Sequence, residues 1–348
     1  MSMETQPSHA RPGVRNLITD ILGLKVGQAH DVAARSGVTV ILPDARAVCA
    51  YDVRGGAPGT RETDVLAPEN LVEAVDAVVL AGGSVYGLAA ADGVAAWLGA
   101  RGRGYGLSQI SGVPVSPVVP AAILFDLANG GDKAWGETPP YRALGLTAVA
   151  TASERVELGT AGAGYGAMAG SLKGGIGSAS MRASDGMLVG ALVAVNCWGS
   201  VTAPGGRTFW AAPYEIEGEF GGLGSGGLVA APEDWGLSKS PGEARNTTIA
   251  CIATDVTLTP AQAKRVAIMA QDGLARAIRP IHSPFDGDVV FALSTSQRPM
   301  PEAADYTVAR LGALAADALA RAVARAVFEA RPWPGADVPC WHRPPGAA

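Results

Sequence analysis

Apolar residues occur in short runs along most of this chain, and the runs have the length and composition of buried strands. They are rich in valine, isoleucine, leucine and alanine, and glycine, proline or polar residues bound them, which favours strands over helices. The runs that predict strands are residues 16–20, 24–29, 37–43, 47–53, 77–80, 187–196, 248–254 and 289–293, and residues 114–127 predict a buried extended segment.

Three other segments have the signals of helices. Ser84 is placed to cap a helix, Thr259 and Pro260 are placed to cap and begin a second one, and a third segment is rich in alanine. The predicted helices span residues 84–98, 260–278 and 303–330. Strands therefore dominate the first part of the chain, and long helices follow in the last third.

The composition indicates a well-packed chain and limits the classes of partner. Hydrophobic residues make up 48% of the 348 residues and charged residues only 17%, so the chain can bury much of its surface. Glycine occurs 46 times, which is about twice its usual share and indicates many tight turns and close backbone approaches. A net charge of −5 gives no reason to expect nucleic acid or an anionic membrane as a partner.

The two ends of the chain and its cysteines indicate where the protein works. Residues 1–15 are polar and have no apolar centre, so they predict a mobile N-terminus and neither a signal peptide nor an anchor. No apolar run approaches the length of a membrane span. The four cysteines lie far apart and favour free thiols in a cytoplasmic protein. Residues 331–348, rich in proline, predict a surface-hugging or loose tail.

A glycine-rich stretch at residues 158–167 contains the spacing G-x-G-x-x-A of a dinucleotide site, formed by Gly162, Gly164 and Ala167. Such a site needs a strong strand before the motif and a long helix after it. Lys173 and the two glycines that follow it interrupt the chain within a few residues, so no crossover helix fits. We therefore predict no dinucleotide cofactor. We also predict no metal, because the four histidines lack the spacing of metal ligands.

The most informative short stretch is Asn246-Thr247-Thr248, where a glycine-rich passage enters an apolar strand. If the bond between Asn246 and Thr247 is cut, Thr247 gains a free α-amine beside its hydroxyl. That amine can serve as the general base for the hydroxyl, so one residue supplies both nucleophile and base. A threonine that simply begins a strand is the alternative. The long loop at residues 203–242 suits a flexible approach to a cleavage site.

Further polar residues stand at strand ends or among glycines. Lys173 either approaches a backbone closely or is a solvated surface lysine. Asn196 ends a buried strand, where its amide either caps a turn or donates to an oxyanion. Asp286 and Asp288, separated by one glycine, are expected to face one shared site unless they form a solvated corner. His282, which precedes this pair, is expected at the surface.

Two more segments admit a structural and a functional interpretation. The loop at residues 54–64 holds three glycines and a proline before a charged cluster, which fits either a solvated hairpin loop or one wall of a substrate cleft. Tyr86 lies in the first turn of the helix predicted from Ser84. A tyrosine at such a position usually packs, but its hydroxyl would point at whatever the end of the preceding strand lines.

Together these segments resemble the DmpA-like family of self-processing N-terminal-nucleophile hydrolases, which includes L-aminopeptidase/D-esterases, β-aminopeptidases and nylon-oligomer hydrolases. The resemblance covers nearly the whole chain, about residues 16–330, and it is specific because five segments occur in the same order. These segments are residues 53–64, 82–88, 173–177, 246–248 and 286–288.

The resemblance implies an α+β fold, a four-layer α/β/β/α sandwich, in a single hydrolase domain at residues 16–330. It also implies cleavage before Thr247, which would divide the protein into an α chain of residues 1–246 and a β chain of residues 247–348. A homotetramer is the assembly that the resemblance implies.

The same resemblance assigns roles to the candidate site residues. Thr247 matches the nucleophile, and Lys173 and Asn196 match residues that assist it. Tyr86 matches a residue near the oxyanion and the amine. The acidic pair of the nylon-oligomer hydrolases is matched by Asp286 and Asp288.

The expected activity is hydrolysis of amide bonds in linear oligoamides or small peptides through an acyl-enzyme on Thr247. A nearby Lys173 would lower the pKa of the freed amine, and the two aspartates would raise it. An alternative is an aminopeptidase or β-aminopeptidase, in which the aspartates bind the amine of the substrate. Others are an acyltransferase of the ornithine acetyltransferase type, whose usual Ala-Thr-Met processing motif is absent, and an uncleaved glycine-rich scaffold.

Overall fold

The computed structural model describes residues 9–106, 110–240 and 246–343, and these residues stack two sheets between two layers of helices. The strands are β1 (Leu24–Asp31), β2 (Ser36–Pro43), β3 (Ala47–Val53), β4 (Thr60–Arg61), β5 (Ala74–Val75), β6 (Val78–Ala81), β7 (Ala121–Ile123), β8 (Met168–Ala169), β9 (Leu172–Lys173), β10 (Gly175–Arg182), β11 (Leu188–Asn196), β12 (Thr247–Val256) and β13 (Val289–Arg298). The α-helices are α1 (Ala90–Gly99), α2 (Tyr141–Ala150), α3 (Pro260–Ala277) and α4 (Ala304–Phe328).

Strand β12 lies in the middle of the larger sheet. The first sheet has the order β1-β2-β6-β7-β4, and the second has the order β10-β11-β12-β13-β3-β5. β12 runs antiparallel to β11, with Asn196 opposite Thr247, and parallel to β13, with Ile249 opposite Val289. Every residue of β12 is buried, which explains its nearly continuous apolar sequence. Thr247 therefore begins a strand that has a neighbour on each side.

Three apolar layers hold the stack together. Between the two sheets, Ile41 and Leu80 of the first sheet belong to the same buried cluster as Leu192, Ile249 and Phe291 of the second. A second cluster joins the outer face of the first sheet to α1 and α2, and a third joins the outer face of the second sheet to α3 and α4. Each sheet thus buries both faces, and the predicted α/β/β/α order of layers is confirmed.

The N-terminal segment differs from its prediction. The strand expected at residues 16–20 is replaced by a short 3-10 helix, Ile18–Asp20. Its polar side chains bind the edge of the second sheet, since the Ser180 N–H donates to Asn16 Oδ1 at 3.0 Å and the Ser180 hydroxyl donates to Asp20 Oδ2 at 2.7 Å. These side-chain bonds fix the segment without a backbone ladder. The predicted mobile N-terminus falls partly on residues 1–8, outside the described residues, while Arg11 pairs with Arg182.

The helix predicted from Ser84 begins later than expected. A 3-10 helix, Ser84–Ala89, comes first, and α1 starts at Ala90. Gly83 has a left-handed φ of 82°, and its N–H donates to Asp126 Oδ1 at 2.7 Å. The carboxylate of Asp126, and not the hydroxyl of Ser84, therefore binds a backbone donor at this turn.

The two long helices agree with their predictions to within two residues. At the start of α3 the Gln262 N–H donates to the hydroxyl of Thr259 at 3.3 Å, which is the expected N-cap. Neither these helices nor the other described ones combine the length and apolar character needed to cross a membrane. All four cysteines are buried and free.

The C-terminal tail packs on the body of the protein as far as it is described. Trp333 is buried, and its Nε1–H donates to the carbonyl oxygen of Tyr165 at 2.6 Å. The Lys173 N–H donates to the carbonyl oxygen of Pro339 at 2.7 Å. Of the two expectations for the tail, the surface-hugging one fits residues 331–343, and residues 344–348 lie outside the described residues.

Candidate active site

The bond between Asn246 and Thr247 lies inside the protein. Asn246 is 2% exposed and Thr247 is 3% exposed. The hydroxyl of Thr247 donates a hydrogen bond to the carbonyl oxygen of Asn246, so the hydroxyl lies against the carbonyl group that it would attack. Residues 241–245 of the loop that leads to this bond lie outside the described residues. The predicted nucleophile and the predicted cleavage bond are thus buried together.

Asp288 lies beside the start of β12 and is completely buried. Its Oδ1 accepts a hydrogen bond from the Thr248 N–H at 2.8 Å. Its Oδ2 accepts one from the His282 N–H at 3.2 Å and lies 2.8 Å from His282 Nδ1. His282 was expected at the surface, but its side chain is only 20% exposed because it packs against this carboxylate. Asp288 therefore links the residue after the nucleophile to a histidine.

Asp286 is also completely buried and lies on the same side of Thr247. Its Oδ1 accepts from the Trp198 N–H at 3.1 Å, and its Oδ2 accepts from the Ser283 hydroxyl at 2.6 Å. Burial raises the pKa of Asp286, and the charge of Asp288 raises it further. Both aspartates are buried, so the alternative of a solvated corner is wrong.

Gly287 lets this acidic segment approach Thr247 closely. A Cβ at this position would lie 2.8 Å from Thr247 Oγ1 and 2.5 Å from the carbonyl oxygen of Ala57. The Ala57 N–H donates to the carbonyl oxygen of Asp286 at 2.8 Å. The first half of the loop at residues 54–64 therefore backs the acidic segment with backbone contacts, while Arg54, Gly56, Ala57 and Pro58 remain exposed.

Asn196 faces Thr247 from the other neighbouring strand, β11. Its Oδ1 accepts from the Met168 N–H at 2.9 Å, and its Nδ2 donates to the carbonyl oxygen of Phe125 at 2.9 Å. A side-chain amide has two N–H donors, and this contact uses one of them. The second N–H is the group with which Asn196 can bind an oxyanion.

An open cleft of about 680 Å³ lies next to Asn196, the residue opposite Thr247 in the sheet. Asn196, Met168 and Phe125 line it together with Asp126 and Lys239. Its volume is within the range of sites that bind small molecules, roughly 300–1,000 Å³. The cleft is large enough for a short peptide or oligoamide segment, and its described lining includes Asn196 but not Thr247.

Lys173 is completely buried, which excludes the solvated alternative, and it binds backbone instead of the nucleophile. Its Nζ donates to the carbonyl oxygens of Gly174 at 2.8 Å, Ala167 at 2.9 Å and Gly164 at 3.3 Å. Burial lowers the pKa of Lys173 to about 7, against the raising effect of Asp126. These bonds hold the loop in which the Met168 N–H donates to Asn196. Lys173 is therefore a positioning residue.

Tyr86 makes its described contacts away from this cluster. It is 46% exposed, and its ring packs edge-on against Trp135 with 5.7 Å between centroids. The described lining of the cleft does not include Tyr86, and the aromatic ring there belongs to Phe125. The match of Tyr86 to a residue near the oxyanion has no described contact to support it.

Comparison with known proteins assigns this arrangement to a family. The profile of Peptidase family S58 matches residues 16–339. The chain belongs to peptidase family S58. It is thus a hydrolase that acts on peptide or amide bonds, and the non-enzymatic alternative of a glycine-rich scaffold is wrong.

Relatives of this S58 peptidase have two kinds of name. A protein of Mycobacterium tuberculosis (strain ATCC 25618 / H37Rv) named as an uncharacterized aminopeptidase is 45% identical over 92% of this chain and 96% of its own length. The 6-aminohexanoate-oligomer endohydrolase of Agromyces sp. (strain KY5R) is 30% identical over 88% of this chain and 84% of its own length.

A solved structure shares the fold of the S58 peptidase. The L-aminopeptidase D-Ala-esterase/amidase of Ochrobactrum anthropi, a variant of the Ntn hydrolase fold, has a TM-score of 0.68 and 23% identity, covering 92% of this chain and 88% of that one. The DmpA-like resemblance and the four-layer fold are therefore confirmed.

Two site residues of this S58 peptidase were not singled out from the sequence. Asp126 is buried in the wall of the cleft, and burial raises its pKa to about 6. The available signal was an aspartate inside an otherwise apolar run. Lys239 lines the cleft, and its Nζ donates to Asn246 Oδ1. Its signal was weaker, since it is an ordinary lysine in a long loop.

Proposed function

We propose that this S58 peptidase cuts its own chain between Asn246 and Thr247 and then hydrolyses amide bonds with Thr247 as an N-terminal nucleophile. The observation that carries the proposal is the buried contact between the Thr247 hydroxyl and the Asn246 carbonyl group. Attack of Oγ1 on that carbonyl carbon, with transfer of the hydroxyl proton to the nitrogen of Thr247, breaks the C–N bond and leaves an ester. Water then hydrolyses the ester and frees the carboxylate of Asn246.

In each later turnover the free amine of Thr247 accepts the proton of its own hydroxyl, and Oγ1 attacks the carbonyl carbon of the substrate. The second N–H of Asn196 faces the oxyanion that develops, a type of contact that contributes about 3 kcal/mol in comparable sites. The amine then protonates the leaving nitrogen. Water hydrolyses the acyl-enzyme and regenerates the hydroxyl.

The contacts of the acidic pair favour a role in holding Thr247 over a role in binding a substrate amine. All four carboxylate oxygens of Asp286 and Asp288 lie within hydrogen-bond distance of protein donors, and one of these donors is the N–H of Thr248. Lys173 binds carbonyl oxygens in a neighbouring loop. The acidic pair, and not Lys173, therefore sets the charge around the new amine.

The proposed substrates are linear oligoamides and small peptides, including those with a blocked N-terminus. A second candidate is an aminopeptidase that requires a free amine, which the 45% identical aminopeptidase relative favours. Hydrolysis of an N-acetylated peptide amide and of its free-amine form separates the two. We expect kcat/KM values within about tenfold of each other, and a preference above about 100-fold for the free amine would favour the aminopeptidase.

Self-cleavage is tested by a denaturing gel and intact-mass measurement of the purified protein. We expect fragments of ~25 and ~10 kDa from a chain of 35.2 kDa, divided in proportion to residues 1–246 and 247–348. Thr247→Ala should give one full-length band and no activity. Thr248→Val is the matched control, because the hydroxyl of Thr248 has no hydrogen-bond partner among the described residues, and it should be cleaved. Two bands from Thr247→Ala would contradict the proposal.

The four buried free cysteines support a reducing compartment, and we propose the cytoplasm. A homotetramer remains a proposal based on the family resemblance. Light scattering of the purified protein tests it, since a tetramer would have a mass of about four times 35.2 kDa.

A further inference from the structure

We propose that the pocket around the side chain of Asn246 is the subsite for the acyl residue of the substrate, and that Lys239 selects acyl residues with a γ-carbonyl or γ-carboxylate oxygen. Asparaginyl and aspartyl amides are the corresponding substrate class. This inference rests on the proposed function, because it needs Thr247 to be the nucleophile both in self-cleavage and in turnover.

The chemistry of the two reactions makes their subsites comparable. Self-cleavage passes through an ester between Thr247 Oγ1 and the carbonyl carbon of Asn246, with the amine of Thr247 free. Turnover passes through an ester between the same Oγ1 and the carbonyl carbon of the substrate, again with a free amine. The bonds at Thr247 are identical in the two esters. Asn246 is therefore the first acyl residue that the enzyme carries, and its side chain occupies the position of a substrate side chain.

The pocket around Asn246 is built from named contacts. Lys239 Nζ donates to Asn246 Oδ1, and the Asn246 N–H donates to the carbonyl oxygen of Phe285 at 3.3 Å. Only 2% of Asn246 is exposed, so this side chain is enclosed. Its Nδ2 has no hydrogen-bond partner among the described residues. The pocket thus binds the oxygen of the amide and makes no described use of its nitrogen.

The position of Lys239 is fixed by the same elements that hold the acidic pair. The Lys239 N–H donates to the carbonyl oxygen of Trp198 at 2.9 Å, and the Trp198 N–H donates to Asp286 Oδ1 at 3.1 Å. The ring of Trp198 packs against the ring of Phe285 with 5.9 Å between centroids. Trp198 therefore connects Lys239 to Asp286 and to the ring of Phe285.

These contacts predict an order of preference. A hydrogen bond from an ammonium group to an oxygen is worth a factor of about 10–100 in binding, so asparaginyl and aspartyl substrates should exceed a leucyl substrate by that factor in kcat/KM. A lysyl substrate brings a second ammonium group next to Lys239 and should be the poorest. When Asn246 leaves with the new C-terminus, the pocket becomes available for these acyl residues.

The first test measures the same preference in two reactions of the protein with Lys239 unchanged. The p-nitroanilides of asparagine, aspartate, leucine and lysine are assayed with the cleaved enzyme. Separately, the rate of self-cleavage is followed by gel for the original chain and for Asn246→Asp, Asn246→Leu and Asn246→Lys. We expect the order of kcat/KM and the order of self-cleavage rates to agree, with asparagine and aspartate first and lysine last. Orders that disagree would overturn the shared subsite.

The second test removes the ammonium group. In cleaved Lys239→Met we expect the 10- to 100-fold preference for the asparaginyl over the leucyl anilide to fall to within about threefold, while Lys239→Arg keeps a preference. Lys25→Met is the control, because Lys25 pairs with Asp44 at the surface, and it should keep the original preference. An unchanged preference in Lys239→Met would overturn the assignment of Lys239.

The outcome also separates this inference from the proposed function. If the cleaved enzyme hydrolyses none of the anilides and no peptide amide, the proposed function fails. If it hydrolyses all four anilides at similar rates, the proposed function stands and the subsite assignment is overturned. If Lys239→Met does not fold or is not cleaved, the comparison of self-cleavage with anilide hydrolysis still tests the shared subsite, because that comparison needs no change at Lys239.

Discussion

The two sides of Thr247 are built differently. On the side of β13, the carboxylates of Asp286 and Asp288 are buried and bound by protein donors, and the backbone of the loop at residues 54–64 backs the segment. On the side of β11, Asn196 and Lys239 line an open cleft, and Lys239 binds Asn246, the residue that would leave in the proposed self-cleavage. In the proposed reactions the closed side would hold Thr247, which stays, and the open side would meet the groups that are exchanged.

This difference assigns separate tasks to the two sides. A group that must hold a nucleophile in one geometry benefits from rigid, fully bonded partners. A group that meets a new substrate in each turnover needs donors that are released when the previous occupant leaves. We therefore expect changes on the closed side to impair both self-cleavage and turnover. On the open side, we expect a change at Asn196 to lower kcat and a change at Lys239 to affect turnover according to the substrate.

The largest effect is expected from Asp288→Asn. In the original protein the N–H groups of Thr248 and His282 both donate to the carboxylate of Asp288. The asparagine amide would direct its own N–H group at one of these two donors, so that hydrogen bond would be lost. We expect self-cleavage to slow and kcat/KM of the cleaved enzyme to fall on the order of 10³-fold, as when a carboxylate that orients a catalytic base is neutralised. Rates are measured with a peptide amide after cleavage is confirmed by mass.

Asp305→Asn, in the exposed first turn of α4, is the control for this change and should behave as the original protein. A loss below about tenfold in Asp288→Asn would mean that the closed side does not position the nucleophile, and the contrast between the two sides would disappear.

On the open side, Asn196→Ala should reduce kcat by about 100-fold and leave KM within a few-fold, because the lost N–H binds the oxyanion and not the ground-state substrate. Steady-state kinetics on the same peptide amide measures both constants. Asn70→Ala removes an exposed amide that binds only the carbonyl oxygen of Asp64 at 2.7 Å, and it is the control. A change in KM alone would show that Asn196 binds the substrate before the reaction.

The smallest effect on activity is expected from Asp126→Asn, which should instead change how the free energy of unfolding depends on pH. Burial raises the pKa of Asp126 to about 6 from 3.8, so this group contributes stability at low pH and loses it as the pH rises through about 6. The free energy of unfolding of Asp126→Asn, relative to the original protein, should therefore increase between pH 4 and pH 7 by up to about 3 kcal/mol.

Urea unfolding at pH 4 and pH 7 measures this difference. Asp132→Asn is the control, because Asp132 lies in a surface loop where its Oδ1 accepts only from the Ala134 N–H at 2.8 Å. If the difference in the free energy of unfolding between Asp126→Asn and the original protein does not change with pH, burial does not raise the pKa of Asp126.

The closed side of the site could be predicted from sequence because each of its members stands at a recognisable strand boundary, although Thr248 and Asp288 are 40 positions apart. Asp286, Asp288 and Thr247 each begin or precede a strand of one sheet, and strands of one sheet bring their ends together. The open side could not be predicted in the same way. Lys239 lies seven positions before Asn246, but in a stretch of sequence without a periodic pattern, and Asp126 binds Gly83 across 43 positions of sequence.

The described contacts differ from those expected where a side chain had several possible partners. Lys173 was expected to assist Thr247, but its nearest acceptors are carbonyl oxygens of a glycine-rich loop, and no periodicity in sequence reports such contacts. Tyr86 was expected near the reacting atoms, but the left-handed turn at Gly83 and Ser84 directs it to Trp135. The turn depends on the N–H of Gly83 being bound by Asp126, which is a tertiary contact.

The fold followed more directly from the pattern of apolar residues. The buried strands β2, β3, β11, β12 and β13 and the helices α3 and α4 all lie where that pattern places them. The strand expected at residues 16–20 was wrong because the polar side chains of that segment bind the edge of β10.

The central position of β12 determines whether folding or the proposed cleavage comes first. A cut before β12 would leave β10, β11, β3 and β5 on the first fragment and β12 and β13 on the second. The two strands of the second fragment would lie between strands of the first. The groups that surround the cut also come from both sides of it, so the chain must reach its final shape before it can be severed. Neither fragment would then have existed as a separate folded molecule, and the two fragments would remain associated after cleavage.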